Sequence, residues 1–163
     1  MGEGRGRATA SESVPPPAEA RREAEVVAAA TAISGGVGPP RPNVESVVIL
    51  PGGRALGYAE YGDPDGDVVL WFHGTPGARK QIPPDINEVA TARRYRVIGV
   101  ERPGTGFSTP FTYERVLDWA TDVEAFTDAL GIDRFAVAGL SGGGPYVLAV
   151  CNAAVTVFLS ALA

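Results

Sequence analysis

The hydrophobic and polar positions change character near residue 44. Before it, residues 1–43 are dominated by Gly, Pro, Glu, Arg and Ala, with clusters at Val14-Pro15-Pro16-Pro17 and Gly38-Pro39-Pro40-Arg41-Pro42. Such a segment buries too little apolar surface to offset the entropy of ordering, so a disordered leader is expected over 1–43, with at most a frayed helix over Glu19–Ile33. From Val44 the apolar runs have strand length. Val44–Leu50 and Ala55–Tyr61 predict two strands, joined into a hairpin by the turn Pro51-Gly52-Gly53-Arg54. Beyond the turn Gly62–Asp67, Val68-Val69-Leu70-Trp71-Phe72 is apolar without interruption, as in a strand covered on both faces. Asp85, with Glu88 three residues on, predicts a helix start. That helix should run to about Tyr95, with Arg93 and Arg94 at its carboxyl end.

Arg96–Val100 is the next buried strand. The clearest helix follows: Trp119, Val123, Phe126 and Leu130 form one stripe, Asp118, Asp122, Glu124 and Asp128 lie largely off it, and Gly131 closes it. Arg134–Ala138 reads as a short strand, and Gly144–Val150 as a buried helix with Pro145 in its first turn. Strands and helices thus alternate after an opening hairpin. The pattern predicts an α/β fold: a mostly parallel sheet with an amino-terminal β-hairpin, flanking helices, and functional loops at the carboxyl ends of the strands.

Composition narrows the function. The chain has 163 residues, 45% hydrophobic and 20% charged, enough for one domain with a moderate core. Net charge is −5 and the basic residues are scattered, so no nucleic-acid partner is expected. The single cysteine, Cys151, excludes an internal disulfide and reads as a small buried hydrophobe; a cytoplasmic location is expected. There is no metal-ligand cluster, no phosphate-binding P-loop and no G-x-G-x-x-G, so neither metal nor cofactor is implied. Arg21-Arg22 before Val26–Ile33 faintly suggest a signal peptide, but Glu23 and Glu25 break its charge pattern. Tyr146–Ala163 is uncharged over 18 residues, which admits a membrane tail anchor as a rival reading. Asn152, Thr156 and Ser160 weaken that reading, and membrane association is not expected.

The candidate chemistry centres on Gly139-Leu140-Ser141-Gly142-Gly143, a G-x-S-x-G run between a strand and a helix. That context suits a sharp turn that lifts Ser141 out of the sheet, beside the positive end of the following helix. Two further loops fall at the same sheet edge: His73-Gly74-Thr75-Pro76 and Arg102-Pro103-Gly104-Thr105-Gly106-Phe107-Ser108. In this order and spacing the three motifs resemble the α/β-hydrolase fold superfamily, in its serine hydrolase, esterase or peptidase-like branch. The resemblance covers about Val44–Cys151, the amino-terminal half of the usual fold.

The resemblance implies acyl transfer. Ser141 would attack an ester, thioester, amide or lactone carbonyl of a small-molecule acyl substrate. Gly142 and Thr75 would donate backbone N–H groups to the oxyanion. His73, Gly74 and Arg102 would support the loops, His73 as a brace rather than as the base; Glu101 is read as a second brace. Relatives that open epoxides use an aspartate nucleophile, which Ser141 argues against.

One departure matters. The family places its acid and its histidine base after the serine, yet no carboxylate or histidine follows Ser141, and His73 is the only histidine. The expectation is therefore an incomplete α/β-hydrolase domain over 44–163, truncated or frame-shifted, inactive or weakly active on its own. Val155–Leu159 is a candidate sixth strand. An uncovered sheet edge would favour self-association. The alternative is a degenerate, non-catalytic α/β module.

Overall fold

The computed structural model describes residues 39–153. The leader helix at Glu19–Ile33, the signal-like run, most of the leader itself and the strand candidate Val155–Leu159 lie outside the described residues, as does the end of the uncharged tail. The elements are β1 (Val44–Ile49), β2 (Ala55–Gly62), β3 (Asp67–Phe72), α1 (Ile86–Ala92), β4 (Tyr95–Val100), α2 (Trp119–Ala129), β5 (Phe135–Gly139) and α3 (Gly144–Ala153). Short 3-10 turns, Val116–Asp118 and Ser141–Gly143, lead into α2 and α3. Just short of β1, Asn43 donates to the Glu60 and Gly62 carbonyls of β2, and Arg41 accepts from Asn87.

The described strands form one five-stranded mixed sheet in the order β1-β2-β4-β3-β5. The hairpin β1–β2 is antiparallel and joins β4 antiparallel; β4, β3 and β5 are parallel. Leu70 of β3 pairs with Ile98 on one side and Val137 on the other. This is why β3 is apolar from Val68 to Phe72: alternate side chains go to opposite faces, and both faces are covered. Leu70 and Phe72 join the larger core with Leu56, Ile98, Trp119 and Phe126. There Phe72 meets Trp119 edge-on at 5.6 Å, and Tyr58 meets Phe126 at 5.4 Å. Val69 and Trp71 face the smaller cluster around Tyr61, Ala90 and Val97, under α1.

The structure departs from the sequence expectations at three places. Helix α1 stops at Ala92, and Tyr95 is already the first residue of β4. Arg94 turns left-handed at φ 56°, and its carbonyl accepts from Asp67 while Tyr95 accepts from Asp63. The turn before β3 therefore captures this segment and pulls it into the sheet. Asp85 stands at the helix start, but its side chain makes no capping bond. Asp122 is buried although it lies off the apolar stripe, because Arg54 grips its carboxylate at 2.7 and 2.5 Å and the Tyr113 hydroxyl donates to it. Helix α2 closes as expected: Gly131 is left-handed at φ 65°, and Ile132 donates back to Thr127.

Among the described residues, no helix is long and apolar enough to cross a membrane. The first part of the uncharged tail is α3, which buries Ala149 and Val150. Cys151 is half-buried against the larger core.

Candidate active site

The parallel strands β3, β4 and β5 all end at one edge, which brings the three motif loops together. Leu140 continues the β5 pairing by donating to the Phe72 carbonyl at 3.0 Å. At Ser141 the chain flips to φ 49°. A side chain at positive φ is strained, and this strain holds the hydroxyl clear of the sheet. Ser141 is exposed. The flanking glycines have a steric reason. A Cβ on Gly139 would lie 2.8 Å from Val147 Cγ2, and one on Gly143 would overlap the Phe72 carbonyl oxygen. Helix α3 can therefore start directly against β5 and β3 only with Gly at these two positions.

The loop after β3 faces this turn. A Cβ on Gly74 would lie 3.5 Å from Ser141 Cβ, and one on Gly142 would lie 3.3 Å from the Thr75 nitrogen. Ser141, Gly142, Gly74 and Thr75 are thus neighbours. Among the described residues neither the Thr75 N–H nor the Gly142 N–H has a partner. Around them almost every polar group is taken. Arg102 donates to the His73 carbonyl at 2.6 Å, the Gly74 carbonyl at 2.7 Å and Thr75 Oγ1 at 2.9 Å. Its guanidinium also lies 4.8 Å over the Tyr146 ring.

His73 is fully buried. Its Nε2 accepts the Arg102 N–H at 3.3 Å, so the proton sits on Nδ1, which donates to the Gly74 carbonyl at 2.8 Å. Burial pushes its pKa below the ordinary value, and the Arg102 charge pushes the same way. Both ring nitrogens are committed to backbone.

The loop after β4 is built around Glu101, which is fully buried. One carboxylate oxygen accepts the Phe107 N–H at 2.7 Å, and the other takes Arg79 at 2.5 Å. Arg79 reaches on to Glu45 of β1 at 2.7 and 3.0 Å and stacks 3.7 Å over Phe107. A Cβ on Gly106 would overlap the Glu101 carboxylate, which explains glycine there.

Sequence reasoning found the three loops but missed Arg79, Glu45 and Gln81. The one signal for Arg79 was the acid at Glu101, which once buried requires a cation that only the folded chain identifies; Gln81 gave none. Among the described residues no group of His, Cys, Asp and Glu is placed to hold a metal.

A profile of the family described as alpha/beta hydrolase fold matches residues 67–156. The proline iminopeptidase of Xylella fastidiosa (strain 9a5c) is 31% identical over 117 residues, covering 66% of this chain and 35% of that protein. The probable proline iminopeptidase of Leptolyngbya boryana is 33% identical over 95 residues, covering 56% of this chain and 29% of its own. The chain thus spans about a third of the length of the curated relatives it matches. An epoxide hydrolase from an endophytic Streptomyces superposes with a TM-score of 0.57 at 27% identity, over 69% of this chain and 34% of that one. The epoxide hydrolase VrEH1 from Vigna radiata superposes at 0.54 and 23% identity, over 67% and 34%, a likeness of fold.

Proposed function

The chain belongs to the alpha/beta hydrolase fold family, and on that premise we propose that it is a serine hydrolase acting through an acyl-enzyme at Ser141. In this reading Ser141 Oγ gives up its proton to solvent as it bonds to the carbonyl carbon of an ester, thioester, amide or lactone. The carbonyl π electrons move onto oxygen, and the resulting oxyanion accepts the Thr75 and Gly142 N–H groups. Collapse expels the alcohol, thiol or amine, which takes up a proton, and water then releases the acid. The carrying observation is the strained, exposed Ser141 beside two backbone N–H groups that have no partner among the described residues. Serine at the elbow supports acyl chemistry over epoxide opening, and the iminopeptidase relatives favour an amide.

The proposal assigns no base within this sequence. His73 is committed to backbone, and no carboxylate or imidazole follows Ser141. Labelling of Ser141 by a fluorophosphonate probe is expected, lost in Ser141→Ala. The same commitment of His73 favours a second reading, a module that binds carbonyl or anionic ligands without turnover. Absence of labelling after prolonged incubation with a folded sample rejects the hydrolase reading and leaves that one. The lone Cys151 supports a reducing compartment.

A further inference from the structure

Gln81 lies outside all three motifs, yet its side chain spans the loop that faces Ser141. Its Oε1 accepts the Gly74 N–H at 2.6 Å, and its Nε2 donates to the Pro76 carbonyl at 3.1 Å. The two bonds hold the His73–Gly74 and Pro76–Gly77 peptide groups, which bracket the segment carrying Thr75. Its own backbone is fixed as well. Gln81 N–H donates to Ala78 at 2.9 Å, and the Gln81 carbonyl accepts Trp71 Nε1 of β3 at 2.7 Å. Gln81 is therefore tied to β3 through its backbone and to the loop through its side chain. Gly77 leaves room for it: a Cβ there would lie 2.8 Å from Gln81 Cδ.

We propose that Gln81 is a positioning residue for the oxyanion site: it clamps Gly74 and Pro76 so that the Thr75 N–H between them stays free and fixed beside Gly142. This rests on the hydrolase reading for its chemistry. The amide is chemically specific to the task. Gly74 offers a donor and Pro76 an acceptor, so the clamp needs one acceptor and one donor on adjacent atoms. A carboxylate of the same length supplies only acceptors, and a thioether supplies neither useful bond. Arg102 holds the same loop only as a donor, to the His73 and Gly74 carbonyls, the Thr75 hydroxyl and His73 Nε2. Gln81 thus takes the one loop N–H next to Thr75 that would otherwise compete for the bound oxyanion. Preorganised donors work because they are already aimed before charge develops.

The test uses the full chain, isotopically labelled, with amide exchange resolved by residue. In the wild type, Gly74 should exchange at least about tenfold slower than Thr75, the loss expected for one broken bond. Gln81→Met should raise Gly74 exchange about tenfold and slow fluorophosphonate labelling of Ser141 by a similar factor, with little change in Tm. Gln81→Glu should restore Gly74 protection, since it keeps the acceptor. Its labelling should stay slow, because the Pro76 tether is gone and a negative charge now sits near the oxyanion. Equal exchange of Gly74 and Thr75 in the wild type overturns the clamp, as does unchanged Gly74 exchange in Gln81→Met. If Gln81→Met does not fold, the wild-type comparison and Gln81→Glu decide. If the wild type is not labelled at all, the hydrolase reading falls, and exchange at Gly74 still judges the clamp by itself.

Discussion

The loops after β3 and β4 are both rich in Gly and Pro and lie side by side, yet they are held in opposite ways. The loop after β4 is wound around its own buried charge. Glu101 binds the Phe107 N–H within the loop, and Arg79 locks that carboxylate to Glu45. The loop after β3 is held from outside by neutral or carbonyl-directed contacts from Arg102 and Gln81, and its histidine is neutral. The first arrangement spends its carboxylate and its cation on its own loop and on β1; the second, among the described residues, leaves the Thr75 N–H without a partner. A loop that folds onto itself makes a support, whereas a loop gripped by its neighbours can present its backbone to a ligand.

Breaking the ionic loop should have the largest effect. Arg79→Met leaves Glu101 buried without its cation, and a loss of about 3–5 kcal/mol is expected by urea unfolding. Adding Glu101→Gln to that variant should recover a large part of the loss, which a double-mutant cycle measures. Next comes the open side of the other loop. A Cβ at Gly142 would stand 2.7 Å from Thr75 Oγ1, so Gly142→Ala should cut Ser141 labelling by about 10²-fold. Its unfolding midpoint should move little by comparison.

Ser141→Gly should stabilise the fold by about 1 kcal/mol, because glycine carries no penalty at φ 49°. Calorimetry checks this, and a loss of stability would remove strain from the account of the elbow. The gentlest probe is pH. Burial holds the folded His73 pKa below its ordinary 6.5. As pH falls through that value the unfolded chain takes up a proton that the folded chain refuses. The stability contributed is whole above 6.5, declines as pH drops toward the folded-state value, and levels off beneath it. His73→Gln should flatten that part of the pH–stability curve.

Much of the frame was legible because its signals are local. The uninterrupted Val68–Phe72 announced a strand covered on both faces, and the Trp119–Phe126 spacing announced a helix face. Glycine placement announced the elbow, and the contacts of Gly139 and Gly143 explain it. What stayed hidden depends on partners distant in the chain. Arg79 is a surface-type residue in a loop without periodicity, buried only because Glu45 and Glu101 converge on it. Asp122 looked solvent-facing until Arg54 covered it. Arg93 and Arg94 suited a helix end by charge, but the turn at Asp63–Asp67 decided where α1 stops. Gln81 carries a role that no residue type reveals, since both of its partners are backbone.

The place of β3 in the sheet bears on how the chain reaches its native state. β3 lies between β4 and β5, but β4 begins only at Tyr95 and β5 only at Phe135. During synthesis a sticky apolar ribbon therefore leaves the ribosome well before either flank exists to pair with it. Parallel pairings of this kind close long loops before any contact rewards them, so folding is slow and the waiting ribbon is open to misassociation. A charged substitution in β3 would relieve that exposure only at the expense of the core, so the same apolar run that fills the sheet centre is the chain's point of greatest risk on the way there.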